Sequence, residues 1–570
     1  MSTARSVNAV AVMAERDPVS GIWTLSARLA GDGMGTPVTF GRAGTLAWAH
    51  FGARLPAALS ASSSAGTWLS RLVRDSSTAR ELTDAGALFV IDMSRATLTV
   101  AGDRLGVQAV HYASGEGGAW KVSTHALWLL REMEHAGGVN DDAACEHFAF
   151  GYRASALESV YTGLRTLHPA SILTVGHAGA HESTYWETPE ASEEGDDVSA
   201  GELAHLLRAA MAGAAADRAP FVALTAGRDS LCVSSCAAGD LRPRSGTFGH
   251  PDCADRQQGA AVAHALGWPY KSTALCPAEE FELWANRIAS HSAGLATASY
   301  VDMARFVDVV APHGTTVLMG EGGECVRDFF HHAGSPLERL AREFMTPAEY
   351  LRPTLARRLH GMLDGYPESA LARARAQAPD ETEGAFALRF YRSVRMPGNF
   401  ALRHGVLSAL RAKSSPFLDS DFIDAAYALP ATRFAGSRLH REMIESTRPS
   451  LLPFFDRPVQ AARTLQEWPE RFRGGVGAVV GRLLESHIDD CADVFEPEGV
   501  RALARATIAQ PSRALYHLLR ILSFTLGRRQ LRASRAPELE RFPTMILEEP
   551  AAPAHSSGAP RAAMATGSHA

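Results

Sequence analysis

Read for its apolar and polar positions, the chain divides into two stretches of different rhythm. Up to about residue 190, short apolar segments at 22–25, 87–91, 97–100, 107–112, 120–123 and 172–175 are separated by glycine and polar turns. That spacing predicts strands, with a hairpin turn at 115–118, a second turn at 176–179, and a helix over 125–134. Residues 190–197 are acidic and polar and read as a linker. Beyond them the rhythm becomes strand and helix in alternation. An Ala/Leu-rich helix is expected at 201–216. A buried strand at 221–224 then leads through a small turn into a helix from 231 to 238. A second strand at 245–249 is followed by a helix at 255–266 that Gly267 closes, and a third strand lies at 316–319. This alternation predicts a parallel, doubly wound sheet. Residues 331–410 read mostly as helix. An extended piece at 415–419 enters a helix at 420–428, for which Asp419 is a candidate N-cap, and another helix begins at Arg438. After Glu549 the chain is rich in Ala, Pro, Ser and Gly, and disorder is expected there.

Composition narrows the functional classes. The 570 residues carry a net charge of −6 without a basic stripe, which disfavours nucleic acid as a partner. Seven cysteines form no CxxC pair, so neither a zinc site nor a disulfide framework is expected, and Cys232 and Cys236, one helical turn apart, read as packing. The absence of a signal segment and of a long uncharged apolar run points to a cytoplasmic protein with no membrane partner.

Candidate chemistry sits at two of the expected strand ends. The strand at 221–224 runs into Thr225, Ala226, Gly227, Arg228, Asp229 and Ser230. Strand, tight turn and helix N-terminus make an anion site, because the first helical N–H groups are unpaired and the helix dipole favours negative charge there. Small residues at Ala226 and Gly227 allow close approach, and Ala226 requires a negative φ. Asp229 would repel a phosphate unless a divalent cation lay between them, so it reads as a Mg²⁺ ligand. The third strand runs into Gly320, Glu321, Gly322, Gly323 and Glu324, a second glycine loop whose carboxylate, Glu324, makes sense beside phosphate only through the same metal. No Gly-Lys-Ser/Thr follows either loop, which excludes the Walker arrangement. A phosphate-bearing ligand with Mg²⁺ is therefore expected, and the resemblance described next implies that this ligand is ATP.

These loops resemble the two pyrophosphate loops of the asparagine synthetase superfamily, with Glu324 at a position where that family has Asp. The stretch Ser415-Pro416-Phe417-Leu418-Asp419 resembles its Pro-Phe-Leu-Asp loop. Gly102-Asp103-Arg104-Leu105-Gly106-Val107, and residues 164–170 through Tyr185 and Trp186, resemble the N-terminal glutaminase domain of its class B members. The resemblance implies an α/β protein with three parts. An Ntn-hydrolase-like αββα sandwich would occupy 1–190. A doubly wound ATP-pyrophosphatase domain with helical additions would occupy 200–545, and a disordered tail 546–570. It adds Leu224, and Phe248 and Gly249 beside the adenine, to the ATP contacts Thr225, Ala226, Gly227, Asp229, Ser230, Gly320, Glu321, Gly322 and Gly323. It places Mg²⁺ on Asp229 and Glu324.

The sequence also departs from that family. Met1 is followed by Ser2, and neither an Arg-Gly clamp for a glutamine carboxylate nor an Asn-Gly oxyanion pair is found, so glutamine hydrolysis is not expected. No lysine occupies 437–441, where the family carries a catalytic one, and Ala412 stands at a position that is often acidic. Lys413 and Arg441 are the cations available to neutralise charge during adenylation, although each reads first as a solvated helix charge. The implied activity is an ATP-dependent, AMP- and pyrophosphate-forming amide synthesis through an acyl-adenylate. The form of the loops leans toward lasso peptide cyclases, which join a peptide N-terminus to an Asp or Glu side chain. A peptide or small-molecule carboxylate would be the substrate, with a precursor peptide and a leader peptidase as partners. The alternatives are a small-molecule amide or beta-lactam synthetase, and a catalytically dead nucleotide-binding scaffold. A tRNA-modifying ligase is disfavoured by the absence of basic clustering and paired cysteines.

Overall fold

The protein is described by a computed structural model, except at residues 1–4, 18, 20–21, 30–34, 61–63, 83, 116–118, 134–136, 152–158, 190–197, 216–218, 238–240, 328–349, 364–382, 458–463, 513, 534–543 and 548–570. The acidic linker, Ser2 and the residues after Glu549 lie outside the described part.

The first stretch forms an antiparallel sheet of 12 strands. Its order runs Gly179–Thr184, Ser171–Gly176, Thr97–Ala101, Ala87–Asp92, Leu46–Phe51, Thr36–Ala43, Arg5–Arg16, Trp120–Ser123, His111–Ser114, Arg165–Thr166. Trp23–Leu29 pairs along the other side of Arg5–Arg16. Strand alternation sets the layers. In Ala87–Asp92, Ala87, Phe89 and Ile91 enter one core with Phe51, Val100 and Leu173, while Leu88 and Val90 face a second core with Trp68, Leu69 and Trp186. A sheet that is apolar on both faces must be covered on both.

One expectation fails here. The division placed residues from 546 onward in a tail, but Thr544–Leu547 is a strand paired antiparallel with Trp23–Leu29, so the C-terminal stretch completes the N-terminal sheet. The run Thr-Met-Ile-Leu carries the β-branched and apolar residues that favour this.

The second stretch is built on five parallel strands in the order Tyr270–Thr273, Arg244–Phe248, Phe221–Ala223, Val317–Leu318, Lys413–Ser414. The faces again alternate. Val222, Leu224 and Leu318 pack toward the helices Arg228–Cys236 and Arg438–Thr447, whereas Phe221, Ala223, Val317 and Met319 pack against Phe306, Val307 and Leu407 on the opposite side. Both faces are covered by helices, which is the doubly wound arrangement. In chain order the strands read 3-2-1-4-5, so the direction of winding reverses between Phe221–Ala223 and Val317–Leu318. At such a reversal the connections leave in opposite directions and open a crevice beyond the carboxyl ends of the two strands. Of the residues expected to be helical at 331–410, the described ones form Pro353–Leu363, Glu383–Phe390, a π-helical turn over Tyr391–Phe400 that holds Pro397, and Ala401–Leu410.

Candidate active site

A cavity of about 300 Å³ opens at that reversal. The loop after Phe221–Ala223 supplies Thr225, Gly227, Asp229 and Ser230 to its wall, and the loop after Val317–Leu318 supplies Gly320, Glu321 and Glu324. The other end is apolar, with Phe248, Met303, Phe306 and Met319. The Phe248 ring lies 5.5 Å from that of Phe306.

The first loop is held from within. Ser230 Oγ accepts from the Thr225 amide at 3.2 Å, Thr225 Oγ1 accepts from the Gly227 amide at 3.0 Å, and the Ala226 amide donates to Asp255 Oδ1 at 2.9 Å. The helix ladder begins only with the Leu231 amide donating to Gly227 O, so the amides of Arg228, Asp229 and Ser230 precede it at the positive end of the helix. Ala226 is not among the described non-glycine residues with positive φ, as its Cβ requires. The second loop presses directly on the first. A Cβ at Gly320 would lie 2.8 Å from the Asp229 carbonyl carbon, and one at Gly323 would lie 2.8 Å from the Asp229 carboxylate. Glycine at these two positions is what brings the loops together.

Asp229 is flanked by Arg327 and His440. Arg327 reaches both of its oxygens, Nε to Oδ1 at 2.9 Å and Nη2 to Oδ2 at 3.0 Å, and His440 Nε2 stands 3.1 Å from Oδ1. Only the Oδ2 contact is aligned as a hydrogen bond. Oδ1 is buried, with Arg327 Nε and His440 Nε2 in contact but neither aligned with it. Burial pushes the Asp229 carboxyl up, but Arg327 and His440 outweigh it and hold the group below its ordinary range. Glu324 goes the other way: burial and the neighbouring charge of Asp229 raise it. Its Oε1 accepts from Tyr391 Oη and its Oε2 from the Gly322 amide, each at 2.9 Å. A carboxylate has about four lone-pair positions, so both acids retain capacity for a shared Mg²⁺.

Glu321 anchors a second cluster. Lys413 Nζ contacts its Oε2, Arg403 Nε lies 3.0 Å from its Oε1, and Lys413 also donates to His404 Nδ1 at 2.7 Å. Against burial, these cations bring the Glu321 carboxyl down to about 2. Lys413 therefore departs from the expectation of a solvated helix charge: it lies in a strand and is 4% exposed.

Other expected residues stand back from the cavity wall. Leu224 is buried beneath the loop, and Ala226, Gly322 and Gly323 shape the loops from behind. The Gly249 amide turns away to bond Thr273 O. Arg441 is not brought to the site. It makes an ion pair with Asp456 at 3.3 Å on an exposed face, and its helix neighbour His440 points inward instead. Asp419 caps the helix Ser420–Tyr427, accepting from the Asp421 amide at 3.1 Å, and also pairs with Arg54 of the N-terminal sheet region at 2.6 Å. Reading the sequence missed Arg327, Arg403 and His440. Only His440 carried a signal: the helix Arg438–Thr447 buries Leu439, His440, Met443 and Ile444, a stripe that turns Arg441 outward.

Comparison with known proteins identifies one region. Residues 76–186 match the glutamine amidotransferase domain family. Among solved structures, similarity is found to the allosteric regulatory enzyme of purine biosynthesis, at 14% identity over 48% of this chain and 65% of that one, with a TM-score of 0.18. It is also found to glutamine phosphoribosylpyrophosphate amidotransferase from B. subtilis, at 15% identity over 46% and 59%, with a TM-score of 0.17. The chain thus spans less than two thirds of either relative. No curated protein matches. Among the described residues no helix is long and apolar enough to cross a membrane.

Proposed function

We propose that this chain is an ATP-dependent, AMP- and pyrophosphate-forming amide synthetase of asparagine synthetase type that does not hydrolyse glutamine. The observation that carries this reading is the convergence of two glycine loops, each bearing an acid, on one cavity at the winding reversal of a parallel sheet. The apolar end, with Phe248, suits an adenine ring, and the loop amides suit the phosphates. Asp229 and Glu324 would hold Mg²⁺, which would offset the triphosphate charge and polarise the phosphorus under attack. The protein's own work is to position the reactants and to neutralise charge. A substrate carboxylate attacks the α-phosphorus, its oxygen forms the new P–O bond, and the bond to the bridging oxygen breaks to release pyrophosphate. An amine then displaces AMP from the acyl carbon. Arg403, beside Glu321 at the cavity wall, is placed to receive the carboxylate.

In this reading the glutamine amidotransferase-type region is a retained packing domain. Its family match begins at residue 76, beyond Ser2. The finer assignment is a lasso peptide cyclase, with the domains divided at 190 and 200; a small-molecule amide or beta-lactam synthetase is its rival. A partial likeness to those cyclases rests on the run from Gly322 to Phe330, of which residues 328–330 lie outside the described part. The Arg327 fork on Asp229 favours one further reading, a nucleotide-binding scaffold whose metal ligand is permanently taken. Pyrophosphate release, assayed with Mg²⁺, ATP and candidate peptides or carboxylates, separates them. The synthetase reading expects substrate-dependent release. ATP binding with no release from any substrate supports the scaffold.

A further inference from the structure

The pairing of Asp229 with Arg327 bears on how the site is charged. The guanidinium addresses both carboxylate oxygens, at 2.9 and 3.0 Å, and the same planar fork fits a phosphate equally well. Arg327 and Asp229 both line the cavity, so a ligand entering it meets the pair at once. Mg²⁺ in nucleotide sites is commonly held by one or two carboxylates together with phosphate oxygens. Asp229 cannot give its charge fully to such an ion and keep Arg327, because the cations repel. Glu324, whose oxygens bond Tyr391 and the Gly322 amide, would turn its remaining capacity to the same metal. Glu321 is matched by Lys413 and Arg403. A partly buried guanidinium stripped of its partner would be costly, and the anion that arrives with the metal is the phosphate.

We propose that Arg327 is a phosphate-binding residue that occupies Asp229 in the nucleotide-free protein and passes to the triphosphate when a metal-bound nucleotide claims Asp229. This rests on the ATP reading above. It makes metal and triphosphate binding cooperative, because free metal must displace Arg327 from Asp229 unaided, whereas metal–triphosphate brings a phosphate for the guanidinium along.

The test uses the full chain with Mn²⁺ as probe, free Mn²⁺ being followed by electron paramagnetic resonance, and with ATP and AMP binding measured separately. The wild type should bind Mn²⁺ weakly alone and tightly with ATP. Arg327→Met should bind Mn²⁺ alone about tenfold more tightly and ATP about tenfold more weakly, with AMP affinity unchanged, as expected for losing one charge-assisted contact. Arg327→Lys should recover part of the ATP affinity. Wild-type values for both ligands in Arg327→Met overturn the proposal, as does a parallel loss of AMP binding, which would mark a structural role. A wild type that binds no ATP at all with Mn²⁺ present removes the ATP reading itself, and this inference with it.

Discussion

The two sheets invite comparison. The antiparallel one carries the family match, yet the chemistry expected of a glutaminase is not legible in it. The parallel one lies outside that match, yet its strand ends gather three carboxylates, Asp229, Glu321 and Glu324, with Arg327, Arg403, Lys413 and His440 around them. Fold-level likeness and site-level chemistry are thus separate in this chain, and function has to be argued from the second. The two regions also meet. Arg54 pairs with Asp419, Arg104 donates to Ser420 O at 2.8 Å, and Trp186 donates to Asp424 at 2.8 Å, all onto the segment that follows Pro416–Leu418. That segment backs the active loop, since Leu418 and Phe417 crowd Gly322 and Phe417 stacks on His440 at 5.3 Å.

The contrast can be broken most sharply at Asp229. Asp229→Asn should lower ATP-dependent pyrophosphate release on the order of 10³-fold with an unchanged circular dichroism spectrum. Full turnover by that variant would show that the parallel sheet has no metal-binding acid there. Next in size, Lys413→Met leaves Glu321 in a buried cluster without its closest cation and should cost about 3–5 kcal/mol in thermal unfolding. Converting Glu321→Gln alongside it should recover part of that loss. If both variants unfold like the wild type, the Glu321 cluster is not a structural charge pair.

A pH series tests the seam between the sheets. Burial raises the Asp419 carboxyl to about 6, despite Arg54. A folded value above the unfolded ~3.9 means that its contribution is complete below about pH 4 and is lost as pH rises through 6. Glu321, drawn down to about 2, behaves oppositely: its contribution is complete above ~4.3 and fades as pH falls toward 2. Asp419→Asn should therefore flatten the stability profile between pH 4 and 6 and leave the acid limb intact, as read by calorimetric Tm. The smallest effects are expected from Ser2→Ala and Arg441→Ala. Both should leave product formation unchanged, and Arg441→Ala, which breaks an exposed ion pair, should shift stability by less than about 1 kcal/mol. A large loss of product formation with Ser2→Ala would restore chemistry to the antiparallel sheet.

What the sequence disclosed was local. The strand at Phe221–Ala223, its turn and the helix Arg228–Cys236 are contiguous, and the apolar run, the glycine and the acid announce one another. The glycines of the second loop were equally visible, although the reason for them, the contact of Gly320 and Gly323 with Asp229, needs both loops in place. Arg327 and Arg403 were hidden for a different reason, which also left Lys413, though named as a candidate, reading as a solvated charge. Arginine and lysine look alike on a surface and in a site, and what separates them here is the tertiary packing that buries Lys413 against Glu321. The far strand Thr544–Leu547 was obscured by the low-complexity stretch that follows it.

That strand has a consequence for biosynthesis. Trp23–Leu29 emerges from the ribosome early, but its outer backbone groups find their partner only when Thr544–Leu547 has been made. Until then the nascent sheet presents a ready-made template for a neighbouring chain. A truncation just before residue 544, harmless to the cavity by position, should leave a protein that assembles into aggregates through this uncovered rim.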